Sequence, residues 1–292
     1  MPAKWRIFQR ERFPLHSHLP LILALLLAHI SLAGYSAVQL RLYAVLFFVL
    51  LSFFFRMRLF DEIKDYAVDC EKNPSRPLPR GILGVDDLRR VIFMLFGFEI
   101  VLTGIANPVF LTMLLPAQGY SFLMYREFFM GKFLRPHLTT YAVSHTVVMV
   151  LLSGLCSTCL LGCFPWQLEI RNWIFALGCF GIFNVFEFGR KTFAGAEEQP
   201  GVDSYSKIWG RSGAVFLNLS QGLLGLSAMG YVYPYGSLQW ILGGVILAGL
   251  LTAGTVYIIL NTATAAKAYR AVSSANILLL LCVGITLLPV SL

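Results

Sequence analysis

Charge is what this sequence has least of. Only 13% of its 292 residues are Asp, Glu, Lys or Arg, and 57% are hydrophobic, whereas a soluble domain carries about 25% charged residues. That shortage excludes an ordinary water-soluble globular protein. A cleaved secretory signal is not expected: the first apolar run follows a basic arm, but it extends about 20 residues with no convincing small-residue cleavage site after it, so it reads as an uncleaved first span. The six cysteines form no disulfide framework, because Cys156, Cys159 and Cys163 fall at helical spacing in one apolar run and Cys179 and Cys282 are also intramembrane. A metal site on that trio would need thiolates stabilised inside a bilayer, so packing is the better reading. No residue-level repeat is visible either, although helix pair, acidic loop and helix pair recur in both halves.

What is present is a succession of apolar runs, each of the roughly 17–25 residues needed to cross a hydrocarbon core. They lie near 19–38, 40–57, 88–105, 107–125, 138–160, 170–188, 213–231, 238–260 and 273–291. The expected fold class is all-α: a polytopic membrane protein of nine transmembrane helices. A basic arm, 1–18, precedes a single domain, 19–292. Lys and Arg collect in cytoplasmic loops, and 21 of the 23 fall in alternate loops, leaving only Arg41 and Arg171 for the other face. The N-terminus is therefore expected in the cytoplasm and the C-terminus outside. The net charge of +8 is explained by topology and anionic lipid headgroups, without a nucleic-acid partner.

The acids that remain are concentrated in "RLFDEIKDYAVDCEKNPSRPLPRG", residues 58–81. Asp61, Asp65 and Asp69 recur every four residues and so line one helix face, with Glu62 beside the first. Carboxylates this close repel one another unless a cation neutralises them. Magnesium suits them, since it is usually held by one or two carboxylates together with substrate phosphates. The competing reading pairs Asp61 with Lys64 and Asp69 with Lys72 on a solvated face. Against it stands the next stretch, where prolines and a glycine fix a turn presenting Arg76 and Arg80, whose guanidinium forks match phosphate oxygens.

This loop resembles the first motif of the UbiA superfamily of intramembrane prenyltransferases, N-D-x-x-D-x-x-x-D followed by a proline-arginine-proline-leucine turn. Asp65 and Asp69 match; Asp61 and Glu62 stand where the motif has Asn and Asp; Arg76, Pro77 and Leu78 match the turn before Gly81. The resemblance implies a central, lipid-open cavity under a cytoplasmic polar cap. It also implies a second acidic motif after the sixth span, where the chain reads "NVFEFGRKTFAGAEEQPGVDSYSKIWG", residues 184–210. Family members usually have two aspartates four apart there, whereas this chain has Glu187 followed by Lys191. Glu187 is taken as heir to the first carboxylate and Lys191 as a direct diphosphate ligand, with Asn184 and Asp203 as further contacts.

On this resemblance Asp61, Asp65 and Asp69 are the expected catalytic residues, and with Glu187 the magnesium ligands. Arg76, Lys191, Arg126, Asn184 and Asp203 are the expected substrate contacts. The implied substrates are a prenyl diphosphate and a lipophilic acceptor, with membrane lipid around them, in a bacterial inner membrane. Tyr125, Arg126, Lys132 and Arg135 either complete the cationic cap or snorkel to the interface. Glu99 faces the cavity or a partner such as an amide or histidine. His145 either positions an acceptor or is a hydrogen-bonded core histidine, and His29 is similar. A terpene cyclase and a transporter are the competing functions; transporters place coupling residues nearer the bilayer midplane.

Overall fold

A computed structural model describes residues 3–34, 39–232 and 237–285. The elements are α1 Ala3–Arg12, α2 Leu15–Ala33, α3 Leu40–Lys64, α4 Tyr66–Lys72, α5 Val85–Ala106, α6 Leu111–Tyr125, α7 Gly131–Leu134, α8 Leu138–Thr146, α9 Val148–Leu161, α10 Ile170–Arg190, α11 Tyr205–Val232, α12 Ser237–Leu260 and α13 Ala263–Ile285. Among the described residues there is no strand.

The expected apolar runs are helical over nearly all of their described residues, with α8 and α9 continuing one another across Val147, and residues 35–38 of the first run lie outside the described ones. Among the described residues, seven segments are long and apolar enough to cross a membrane: α2, α3, α8 with α9, α10, α11, α12 and α13. The two expected spans outside this group have physical reasons. Five charged residues interrupt α5 (Asp86, Asp87, Arg89, Arg90 and Glu99), and α6 is only 15 residues long. Asn107, forced into extended backbone by the following proline, ends α5, and its side chain accepts from Val109 N at 3.0 Å. The ninth run starts ten residues earlier than expected, at Ala263, and its last residues lie outside the described ones.

Small residues let the second-half helices approach closely. A Cβ on Gly181 would lie 2.8 Å from the Gln221 carbonyl, and one on Gly225 2.7 Å from Ile182, so α10 and α11 pack nearly backbone to backbone. The main apolar core joins α2, α3, α6, α9 and α10 through residues such as Leu25, Leu50, Leu114, Leu152 and Phe175, all fully buried.

The N-terminal arm is no loose tail. Phe8 of α1 is fully buried with Leu59, Phe60, Leu78 and Leu88. Around it, Lys4 pairs with Asp87 at 2.8 Å, Arg12 with Glu62 at 2.7 Å and Glu11 with Arg80 at 2.8 Å. The arm thus braces the end of α3, the proline-rich turn and the start of α5.

Candidate functional site

The end of α3 continues helically past its nominal stop. Asp65 N donates to Asp61 O at 2.9 Å and Asp69 N to Asp65 O at 2.8 Å, so the three aspartates stack one turn apart, as their spacing requires. Their surroundings differ. Asp61 and Asp65 line a cavity of about 600 Å³, whereas Asp69 does not and is only 3% exposed. Both Asp69 oxygens accept from Arg76 at 2.5 Å, and Asn73 donates to one of them at 3.0 Å. Arg76 itself lines the cavity. Asp69 therefore holds the arginine that faces the site, in place of the Lys72 partner weighed for it.

Glu62 has a similar supporting place. It is buried, and one oxygen accepts from both Arg12 and Arg58, two guanidiniums that also line the cavity. Lys64 reaches Asp61 at 3.2 Å and donates to the Tyr141 hydroxyl at 2.7 Å.

The second loop closes the same cavity. Glu187, Arg190 and Lys191, at the end of α10, all line it. Arg190 grips both Glu187 oxygens, at 2.6 and 2.9 Å, and Lys191 lies 3.5 Å from one of them. Lys72 donates to the Gly201 carbonyl at 3.4 Å, which joins the two acidic loops directly. The third wall is unusual: Glu127, Phe128 and Phe129 take φ of 49, 53 and 57° in succession, a left-handed turn without glycine. Such a turn costs about 1–2 kcal/mol per residue and persists only where its surroundings over-determine it. Arg135 supplies part of that hold, donating to both Glu127 oxygens at 3.0 and 2.9 Å.

Seven Lys or Arg and four Asp or Glu side chains line the cavity, so it attracts an anion. The other lining is mostly apolar, with Phe53 and Phe54 from α3, Met149 and Leu152 from α9, and Phe183 from α10, beside Tyr141, His145 and Thr146. Burial, with Asp61 and Asp69 adding to it, pushes the Asp65 carboxyl above the usual range against the pull of Lys64 and Arg76. Burial, with Arg190 adding, pulls the Lys191 ammonium down against Glu187. Each shift marks an incompletely compensated charge: a cation would relieve Asp65 and an anion Lys191.

The donor set decides how magnesium fits. Among the described residues no three His, Cys, Asp or Glu side chains converge to hold a metal alone. Asp61 and Asp65, one turn apart on the cavity wall, fit the one-or-two-carboxylate pattern that substrate phosphates complete. Of the other two expected ligands, Asp69 lies off the cavity and is engaged by Arg76, and Glu187 lines it with Arg190 and Lys191 beside it, as Asp61 has Lys64.

Of the expected substrate contacts, Arg76 and Lys191 line the cavity; Arg126, Asn184 and Asp203 do not. Arg126 is exposed over the Phe129 ring, Asp203 is exposed in the second loop, and Asn184 is buried, bonded to Thr146 and Gln221. Arg135 does line the cavity; Tyr125 and Lys132 do not. Sequence reasoning missed Arg58, Lys64, Tyr141 and Arg190 as cavity residues, though Arg58 and Arg190 stand three residues from Asp61 and Glu187. Arg12 gives no local signal, because it arrives only through docking of α1.

A helical membrane bundle with an anion-attracting cavity at the helix ends is the class of protein these features define. Its fold is shared with two solved structures. One, of a digeranylgeranylglyceryl phosphate synthase in membranes, superposes with a TM-score of 0.65 at 14% identity, over 97% of this chain and 98% of that one. The other, an apo UbiA homolog from Aeropyrum pernix K1, gives 0.58 at 11%, over 92% and 98%. The protein is thus an integral membrane protein with the UbiA fold. No family model matches the chain, and no curated protein matches its sequence.

Proposed function

We propose that the protein is a membrane prenyltransferase that ionises an isoprenyl diphosphate and passes the prenyl chain to a lipophilic, aromatic acceptor. The observation that carries this reading is the two-part cavity, with seven cationic groups and four carboxylates adjoining an aromatic and aliphatic lining. The diphosphate oxygens take hydrogen bonds from Arg76, Arg190 and Lys191, and the leaving group's charge is compensated where it develops. Asp61 and Asp65 are the residues that would hold magnesium, which supplies Lewis-acid stabilisation of the leaving diphosphate. The prenyl chain lies against Phe53, Met149 and Leu152, away from water. Phe54 and Phe183, stacked at 6.2 Å, offer ring faces that favour an allylic cation. The likeness to a digeranylgeranylglyceryl phosphate synthase supports the reading at the level of fold.

A cyclase on the same fold is the second reading, favoured by the departure at Glu187 and Lys191 from paired aspartates. The test uses purified protein in lipid nanodiscs with Mg²⁺ and prenyl diphosphates of increasing length, with and without membrane lipid extract. Diphosphate release that requires extract, with a prenylated product, is the expected result. Release without extract and a cyclic hydrocarbon product would establish the cyclase, and no release under any condition would refute both. The cavity mouth is proposed to face the cytoplasm, which in a bacterial inner membrane is where a soluble diphosphate is delivered.

A further inference from the structure

The apolar part of the cavity has a floor. The residues furthest from the charged mouth that still line it are Phe53 on α3, Leu152 on α9 and Phe183 on α10. One turn deeper, the same helices present Val49 and Leu50, Leu155 and Cys156, and Cys179, none more than 1% exposed and none lining the cavity. These residues form one continuous core with Leu25 of α2 and Phe175 of α10. The space therefore ends on packed side chains.

The sides are closed by the same three helices. α9 packs against both α3 and α10, and the stacked Phe54 and Phe183 rings, 6.2 Å apart, bridge α3 to α10. The floor is also held from behind. The Arg56 guanidinium lies 4.4 Å from the centre of the Phe53 ring and is itself fixed by Glu99 and Ser121. Leu152 is fully buried in the core. An interior packed in this way resists added atoms, because even extra methylenes force strained rotamers and backbone shifts.

Helix rise gives the depth. Asp61 and Phe53 are eight residues apart on α3, about 12 Å, and Tyr141 and Leu152 eleven residues apart along α8 and α9, about 16 Å. An extended isoprene unit spans four carbon–carbon bonds, about 5 Å. With the diphosphate at the level of Asp61 and Asp65, two or three units fill the wall and a fourth meets the floor.

We propose that Phe53 and Leu152 set the length of the donor, and that the donor is a short prenyl diphosphate of about two or three isoprene units. This rests on the reading of the cavity as a prenyl diphosphate site.

The experiment measures kcat/KM by diphosphate release in nanodiscs, with Mg²⁺ and lipid extract, for geranyl, farnesyl, geranylgeranyl and octaprenyl diphosphate. Wild type is expected to prefer geranyl or farnesyl over geranylgeranyl diphosphate by at least about tenfold, the discrimination a fixed apolar pocket makes against excess length. Leu152→Ala, which lowers the floor, should raise geranylgeranyl relative to farnesyl diphosphate by about tenfold, and Leu152→Phe should shift the preference towards geranyl diphosphate. Leu155→Ala removes the same atoms from the core without opening onto the cavity, so it should lower the melting temperature and leave the preference alone. Equal turnover of all four donors, a best rate with geranylgeranyl or octaprenyl diphosphate, a ratio that Leu152→Ala does not change, or the same shift in Leu155→Ala overturns the inference while the prenyl diphosphate reading stands. The wild-type series decides alone if Leu152→Ala does not fold. Release from none of the four donors overturns both.

Discussion

Arg56 and Glu99 form an ion pair with neither side chain exposed at all, Nε to Oε1 at 3.0 Å and Nη2 to Oε2 at 2.9 Å. Ser52 and Gln118 complete the carboxylate, Ser121 takes a further guanidinium proton, and Phe53 and Phe96 cover the cation at 4.4 and 3.9 Å. The network ties α3 to α5 and α6. Glu99 thus has the amide partner expected of it in Gln118, and an unexpected one in Arg56, which counts among the basic residues assigned to the loops but is buried at the end of the span. Removing one member strands the other charge, so Arg56→Met or Glu99→Leu alone should cost about 3–5 kcal/mol, whereas the double substitution should recover much of the loss. Thermal unfolding in detergent checks this, and singles as stable as wild type would contradict it.

Asp65 and Asp69 should fail differently. Asp65→Asn removes a carboxylate from the cavity wall and should lower kcat by about 10²-fold while leaving the melting temperature unchanged. Asp69→Asn releases Arg76 and should instead raise KM for the prenyl diphosphate and cost about 2 kcal/mol of stability. Steady-state kinetics beside melting curves separate the two, and identical behaviour of both variants would mean that the aspartates share one role.

Arg12 tests whether α1 belongs to the site. Arg12→Gln keeps a hydrogen bond to Glu62 but removes a cation from the cavity, so prenyl diphosphate binding should weaken about tenfold, the equivalent of about 1.4 kcal/mol. Binding in 0.5 M salt should narrow the gap between variant and wild type. Equal affinities at low salt would return α1 to a purely structural role.

These residues also mark how far the sequence could be read. Helix positions and the aspartate stack follow from apolar run length and four-residue spacing, both local properties, and most reappear within a few residues, although α11 and α13 begin eight and ten residues earlier than their apolar runs. Which aspartate faces the cavity does not follow, because it depends on Arg76 folding back seven residues onto Asp69. Arg56 was hidden for a related reason: at the end of an apolar run it looks like the first residue of a basic loop, and only Glu99, 43 residues away, explains its burial. Arg12 and Glu127 depend on docking and on a left-handed turn that no turn residue announces.

Glu197 supplies a pH-dependent link between the second loop and α13. Arg270 donates to both its oxygens, at 2.9 and 2.7 Å, and to the Thr192 carbonyl at 2.9 Å. That guanidinium holds the Glu197 carboxyl below the usual range. A depressed carboxylate contributes stability that is fully present above its unfolded pKa, about 4.3, and is lost as pH falls through the lower folded value. Glu197→Gln should therefore melt earlier than wild type at pH 7, by about 0.5–1 kcal/mol once solvent screening is allowed for, and the difference should shrink below about pH 4. A gap that stays constant with pH would rule the pair out as its source.

The Lys72 contact to the Gly201 carbonyl brings both acidic loops to one face of the bundle, and side-specific labelling can test which face. Cysteines introduced at Ser75 and Asp203 are suitable, because both are in those loops, whereas Gly201 has a φ of 73° that a cysteine would strain. Trp166, 73% exposed between α9 and α10, reports the opposite face. Its side is the same whether α5 and α6 cross the membrane or not, since two extra crossings leave every later loop where it was. The native cysteines are first replaced, the exposed Cys70 above all. Ser75→Cys and Asp203→Cys should react only with reagent on the cytoplasmic side, where basic loops remain, and Trp166→Cys only from outside. If the first two label from opposite sides, the loops cannot meet over one diphosphate, and the transferase and cyclase readings fall together.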